Sequence, residues 1–321
     1  MKLDKEQKFE DILGQEEVKK QLNSALLTGR NIILVGPPGI GKTTLAKNIA
    51  KLLPDIDAKE YQHINLKTEK KRIKGIERFI RIQGSPDLTV EDLIGDIDPI
   101  KALKFGPLSL EAFTPGKIFK AHKGILFFDE LNRAPEKIQN ALLQVLEEKK
   151  VTIGSYDIDF PADFIFISTM NPDDFTGTEK LSEVLLDRFD IIYMNYPESL
   201  SIEKEIVKTK GKTLDVKFHE NTLDLTLNFV RQLRENKNLE RVPSVRASLG
   251  LYERSQSNAI LRKAKTVTIE DVKDAIVSVI AHRIRLKPSI KYLTQPKKFL
   301  EDEFTKFIQE YDDKLEKGDY P

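Results

Sequence analysis

Four short apolar runs mark the first two hundred residues, and each stops against glycine or polar residues. Residues 31–35 (Asn-Ile-Ile-Leu-Val) end at Gly36, and 125–128 (Ile-Leu-Phe-Phe) run into acids. Residues 164–168 (Phe-Ile-Phe-Ile-Ser) run into polar residues, and 191–194 (Ile-Ile-Tyr-Met) form the fourth run. Apolar runs of this length without alternation predict strands buried on both faces. The intervening segments have helical period. Residues 9–30 read as a lead-in loop and a helix. A second helix is predicted from Lys42 to about residue 53, where Pro54 ends it. A third starts near Pro135, with Ile138, Ala141, Leu142, Val145 and Leu146 on one face. Strands alternating with helices predict an α/β fold, a parallel sheet sandwiched by helices.

After Pro197 the texture changes. Amphipathic helices are predicted over about 222–235, after Pro243-Ser244, and from the capping signal Thr268-Ile269-Glu270-Asp271. The last would turn Val272, Ala275, Ile276, Val279 and Ile280 inward. The expected organisation is an α/β core over 1–197, a smaller all-α domain over 198–287, and a charged tail over 288–321. In that tail, Leu300, Phe304 and Phe307 keep helical spacing. Residues 151–160 alternate apolar and polar positions around Gly154, as a hairpin does.

Composition narrows the function classes. With 40% hydrophobic and 32% charged residues, the 321-residue chain has the make-up of a folded protein rather than a disordered one. A net charge of +1 supplies no global field for nucleic acid or acidic membrane, so a polyanion would need a local patch. One basic stretch exists: Lys67, Lys70, Lys71, Arg72, Lys74, Arg78 and Arg81. It reads first as a solvated face, and alternatively as a pore-facing or polyanion-contacting segment. Cysteine is absent, which excludes disulfides and thiolate metal sites. The four histidines lack metal-ligand spacing. No apolar run is long enough to span a bilayer and no signal peptide is evident, so the expected location is the cytoplasm.

Chemistry enters at the end of the first run. Gly36-Pro37-Pro38-Gly39-Ile40-Gly41-Lys42-Thr43 matches G-x-x-x-x-G-K-[ST] in full, with Thr44 following on the helix. The glycines let backbone N–H groups face phosphate oxygens, and the helix start adds partial positive charge. Lys42 is expected at the β- and γ-phosphates and the Thr43 hydroxyl on Mg²⁺. A Gly/Pro-rich turn matching by chance is the competing reading, and the flanking strand and helix disfavour it. The second run ends in Asp129-Glu130, where open α/β sheets bind ligands. Asp129 is expected to hold Mg²⁺ through its water shell, and Glu130 to polarise the attacking water as general base. Asn171, at the end of the third run, is an amide placed to orient that water; Asn-Pro is also a common turn.

This set of motifs resembles the AAA+ ATPases, and among them the MoxR and magnesium-chelatase ATPase-subunit group. The resemblance runs from about residue 9 to about 281. Its carriers include Ile12-Leu13-Gly14-Gln15, residues 36–43, Pro86-Asp87-Leu88, Asp92-Leu93-Ile94-Gly95, Asp129-Glu130-Leu131-Asn132-Arg133-Ala134-Pro135, Thr169-Met170-Asn171-Pro172, Leu185-Leu186-Asp187-Arg188-Phe189 and Pro243-Ser244-Val245-Arg246-Ala247. Asp129 to Pro135 is very like the MoxR form of Walker B. The resemblance implies further roles: Asn171 as sensor 1, Arg188 as an arginine finger, and Arg246 as sensor 2 on a lid helix. It places Ile12, Leu13 and Gln15 at the adenine, with residues 36–44 and Arg246 around the nucleotide. Arg188 beside Asp187 also reads as a surface ion pair.

The resemblance further implies ATP and Mg²⁺ as cofactors and a homo-oligomeric ring, usually a hexamer. It implies insertions near 84–118 and 151–160 that touch substrate or partner. Three functions follow: a MoxR-like motor remodelling a protein client with a von Willebrand A-domain partner, a magnesium-chelatase-type motor subunit, or a nucleic-acid motor or loader. The last rests on the basic stretch.

Overall fold

The computed structural model describes residues 9, 11–60, 71–107, 109–152, 159–171 and 181–317. The chain divides into two units. One comprises residues up to Pro37 together with Gly41–Asn195; the other comprises Pro38–Ile40 and the chain from Tyr196 onward.

The first unit is built on a five-stranded sheet: β1 (Asn31–Val35), β2 (Phe79–Gln83), β3 (Ile125–Asp129), β4 (Ile165–Met170) and β5 (Phe189–Tyr193). All pairings are parallel and the order across the sheet is β5-β1-β4-β3-β2. The four apolar runs are therefore strands, as their pattern requires. Ile32, Ile33, Leu34, Leu126, Phe127, Phe128, Phe166 and Ile167 are fully buried.

Helix α1 (Glu16–Thr28) precedes β1, α2 (Lys42–Leu52) follows it, and α3 (Glu136–Glu148) lies between β3 and β4 in sequence. Helix α2 buries Leu45, Ala46, Ile49 and Ala50, and α3 buries Ile138, Leu142 and Val145. Both are amphipathic helices whose apolar stripe faces the core.

Lys71, Arg72 and Lys74 of the basic stretch are exposed, as a solvated face requires, and Arg78 is the exception. The stretch runs into β2, an edge strand of the main sheet, at Arg81. Alternation in Phe79-Ile80-Arg81-Ile82-Gln83 puts Arg81 and Gln83 on one face and Ile80 and Ile82 on the other. Arg78 is 1% exposed, and its guanidinium donates to the carbonyls of Lys123 and Pro54. Arg78 thus ties the end of α2 to the start of β3, whereas Lys67 and Lys70 lie outside the described residues.

The expected insertion near 84–118 has its own frame. A short helix (Val90–Ile94) carries a Thr89/Asp92 capping box, and the strands Gly95–Ile97 and Phe113–Pro115 pair antiparallel. Between those strands sits the helix Pro99–Phe105, N-capped by Asp98, with Ile100 and Leu103 exposed. Lys150–Thr152 and Asp159–Pro161 form the antiparallel arms expected of the 151–160 hairpin; residues 153–158 lie outside the described residues.

The second unit is helical: α4 (Leu200–Lys210), α5 (Glu220–Glu235), α6 (Val245–Leu261), α7 (Ile269–Ile280) and α8 (Pro296–Lys317). A short antiparallel ladder, Leu239–Arg241 with Arg285–Leu286, is added to them. The capping box expected at Thr268 and Asp271 starts α7. Phe229, Leu251, Val272, Ile276, Leu300 and Phe304 share one core, so α8 packs with the other helices of this unit.

Beside that core, Glu203 is fully buried and ion-paired with Arg234, 2.6 Å away, and with Arg231. Ser248 also donates to it. The same two arginines hold the chain entering the unit. Arg231 donates to the carbonyls of Pro197 and Glu198, and Arg234 stacks over the Tyr196 ring.

Candidate nucleotide site

β1 and β3 flank β4, so their C-terminal ends lie on the same edge of the sheet about 10 Å apart, two strand spacings. The loop of residues 36–43 leaves β1 there, and Asp129-Glu130 leaves β3 there. Registers of Val35 with Met170 and of Ser168 with Phe128 keep the three ends level.

Gly41 (φ +97°) adopts a left-handed conformation as the chain enters α2, whose first turn begins with Lys42 and Thr43. A side chain here would be strained, and glycine is not. Lys42 Nζ donates to the carbonyls of Gly36 and Pro37, the latter at 3.1 Å, so the ammonium lies over the loop. Thr43 is half-buried and Thr44 exposed, and the Thr44 carbonyl accepts from Asn48 within α2.

The loop tip, Pro38–Ile40, groups with the second unit. Gly39 has φ +80°, and a Cβ there would come 2.9 Å from Ser244 Oγ and 3.0 Å from Arg246 Cγ. Ser244 caps α6 through the Arg246 N–H, and Arg246 lies in the first turn of that helix.

The acid pair is embedded in polar contacts that sequence reading did not find. Thr169, 1% exposed on β4, donates from Oγ1 to Asp129 Oδ1 at 2.6 Å and accepts from the Glu130 N–H at 2.9 Å. Arg81 Nη2 lies 2.5 Å from Asp129 Oδ2. The same nitrogen donates to Gln83 Oε1 at 3.1 Å, and Gln83 Nε2 donates to Glu130 Oε2 at 3.0 Å. Arg133 Nε adds a contact to Glu130 Oε2 at 3.3 Å. Asp129, Arg81, Gln83 and Glu130 therefore form one continuous chain. The signal that points to Arg81 and Gln83 is the two-residue alternation of a strand within a charged segment.

Backbone geometry sharpens the arrangement. Glu130 has φ +56°, a conformation few non-glycine residues adopt and one that clusters at functional sites. Gly84, just after Gln83, donates its N–H to the Asp129 carbonyl at 2.7 Å. A Cβ on Gly84 would fall 2.0 Å from the Glu130 carbonyl oxygen, so backbone passes backbone here with no room for a side chain.

Other expected residues are placed as follows. Asn171 follows β4 directly, beside the end of β1. Ile12 and Leu13 are half-buried before α1, and Gln15 donates to the Asn195 carbonyl at 2.7 Å. Arg188 donates to the Val184 carbonyl and is ion-paired with Glu147 of α3, with Nε 2.7 Å from Oε1. Its partner is thus Glu147 and not the adjoining Asp187.

This donor set suits Mg²⁺·nucleotide. Among the described residues, no cluster of three or more His, Asp or Glu side chains is arranged to hold a metal alone. A Mg²⁺ that keeps waters and takes one carboxylate, one hydroxyl and substrate phosphates does not need such a cluster. Asp129 and Thr43 could supply those two groups, and Lys42 with the loop N–H groups could face the phosphates.

Comparison with known proteins agrees with this chemistry. A model of AAA domains of the dynein-related subfamily matches residues 31–189, and a model of AAA lid domains matches 236–302. A magnesium-chelatase subunit ChlI homolog from Methanocaldococcus jannaschii is 28% identical over 328 residues, covering 87% of this chain and 86% of the relative. Chaperone MoxR1 from Mycobacterium tuberculosis is 27% identical over 305 residues, covering 86% and 73%.

The chain is an AAA+ ATPase of the MoxR and magnesium-chelatase group. As such it hydrolyses ATP and uses Mg²⁺. Similarity of fold extends to a RuvB variant from Thermotoga maritima, 20% identical with a TM-score of 0.51, covering 85% of this AAA+ chain and 73% of that one. No described helix is long and apolar enough to cross a membrane.

Proposed function

We propose that this ATPase works in the cytoplasm as a homo-oligomeric ring, a hexamer, that spends ATP hydrolysis on remodelling a protein client together with a von Willebrand A-domain partner. The acid pair at the end of β3, level with the phosphate loop at the end of β1, carries the catalytic part of this reading. Lys42 neutralises the β- and γ-phosphates and Thr43 and Asp129 hold Mg²⁺. Glu130 takes the proton of the attacking water, and Asn171 orients that water. Arg188 acts on the triphosphate of a neighbouring subunit. Arg246, beside the loop tip, reports nucleotide to the helical unit, and Ile12, Leu13 and Gln15 border the adenine.

The likeness to a protein described as a chaperone supports the client reading. The similarly strong likeness to a magnesium-chelatase subunit homolog supports a second one, a motor subunit serving metal insertion. For the nucleic-acid reading, Arg78 is buried and Arg81 is engaged with Asp129, which leaves Lys71, Arg72 and Lys74 as the exposed cations of the stretch among the described residues.

The test is capture of partners by Glu130→Gln held with ATP. Removing the base should lower turnover by about 10²–10⁴-fold while nucleotide stays bound. A protein retained with ATP and released with ADP is the expected result. Tetrapyrrole binding without a protein client would move the assignment to the chelatase reading. Stimulation by single-stranded DNA with steep salt dependence would move it to nucleic acid.

A further inference from the structure

Arg81 has no part in the reading above, yet it makes the closest charged contact to the acid assigned to the metal. The Asp129 side chain is 15% exposed and both of its oxygens are engaged, Oδ1 by the Thr169 hydroxyl at 2.6 Å and Oδ2 by Arg81 at 2.5 Å. A carboxylate so held offers a cation little room on the Arg81 side. Guanidinium and a divalent ion on the same oxygen also repel each other. Arg81 is half exposed, on an edge strand, so its long side chain can withdraw into water without leaving a buried charge behind.

We propose that Arg81 competes with Mg²⁺ for Asp129 and thereby sets the Mg²⁺ concentration at which nucleotide is held. This rests on the assignment of Asp129 to the metal. The contact extends to the base: Arg81 faces Gln83 Oε1, which directs Gln83 Nε2 at Glu130. Withdrawal of Arg81 removes the donor that fixes this amide, so metal occupancy at Asp129 is coupled to the hydrogen bonding of Glu130. Arg81 is a positioning residue: it acts through Asp129 and Gln83.

The experiment titrates Mg²⁺ against binding of a fluorescent ATP analogue to the full chain, followed by fluorescence rather than turnover. The proteins are wild type, Arg81→Gln, Arg81→Lys and Asp129→Asn. Arg81→Gln should lower the half-saturating Mg²⁺ concentration about tenfold, the equivalent of one charge-assisted hydrogen bond. Arg81→Lys keeps the charge on a shorter side chain that reaches Asp129 less closely, and should fall in between. If Arg81→Gln does not fold, as judged by circular dichroism, Arg81→Lys carries the test, with a downward shift still expected.

An unmoved or raised half-saturation in the Arg81 variants, beside a shifted Asp129→Asn curve, overturns the proposal alone. So does weaker nucleotide binding at saturating Mg²⁺, which would make Arg81 a phosphate ligand. Identical curves for wild type and Asp129→Asn overturn the metal assignment of Asp129, and the proposal with it.

Discussion

Arg188 is held by Glu147 across two elements of the same unit, with Nε 2.7 Å from Oε1. The two side chains are 28% and 48% exposed, so the pair is worth at most about 1 kcal/mol to folding. Such a contact can be given up when another anion is offered.

If Arg188 serves a neighbouring active site, Arg188→Ala should lower turnover of the assembled protein by about 10³–10⁵-fold and leave nucleotide affinity near wild type. Turnover should return in rings mixed with subunits that retain the arginine. Glu147→Gln should keep or raise turnover, since it releases the guanidinium. Steady-state ATPase assays with fluorescent-nucleotide binding check both. Full activity of Arg188→Ala would refute the finger.

Thr169→Val keeps the shape of a buried side chain and removes its hydroxyl. The Glu130 N–H then loses its acceptor and Asp129 loses a donor. Leaving one buried donor unsatisfied costs about 1–3 kcal/mol, to be read from urea unfolding of the full chain. Turnover should fall as well, because Thr169 positions both acids. A variant with wild-type stability and turnover would show that the hydroxyl is dispensable.

Glu203 ties stability to pH in the second unit. Burial alone would raise its carboxyl, but hydrogen bonds and charge from Arg234, with Ser248 and Arg231, outweigh burial and hold it below the ordinary 4.5. A depressed folded-state value means the stabilisation is fully present above about 4.5 and is lost as pH falls through the lower, folded value. Thermal melts of the full chain should therefore lose stability below that point, and Glu203→Gln should weaken the dependence. Glu203→Ala strands two arginines and should cost about 3–5 kcal/mol. An acid limb unchanged in Glu203→Gln would place the titration elsewhere.

Much of the fold could be read locally. The three inner strands, β1, β3 and β4, read as apolar runs because they are covered on both faces, and the edge strand β5 still shows Ile191-Ile192-Tyr193. β2 has no such run: it alternates, and its polar positions are arginine and glutamine. Arg78 shows the related limit, because a buried guanidinium looks like a surface charge until the carbonyls of Lys123 and Pro54 are brought to it.

The site divides along the same line. Residues 36–43 and Asp129-Glu130 are contiguous, so spacing alone exposes them. Thr169, Arg81 and Gln83 meet the acids only through sheet register, which pairs Gln83 with Asp129. The left-handed turn at Glu130 has no sequence mark at all.

Gly84 closes one route of variation and leaves another open. With a Glu130 carbonyl 2.0 Å from where any Cβ would sit, the crossing of the two chains admits only glycine. Positions 81 and 83 just before it carry ordinary side chains at the rim of the sheet. If Arg81 sets the ion requirement as proposed, exchanging two rim residues would reset it, and the resting partner of Glu130, while leaving the phosphate loop and the inner strands untouched.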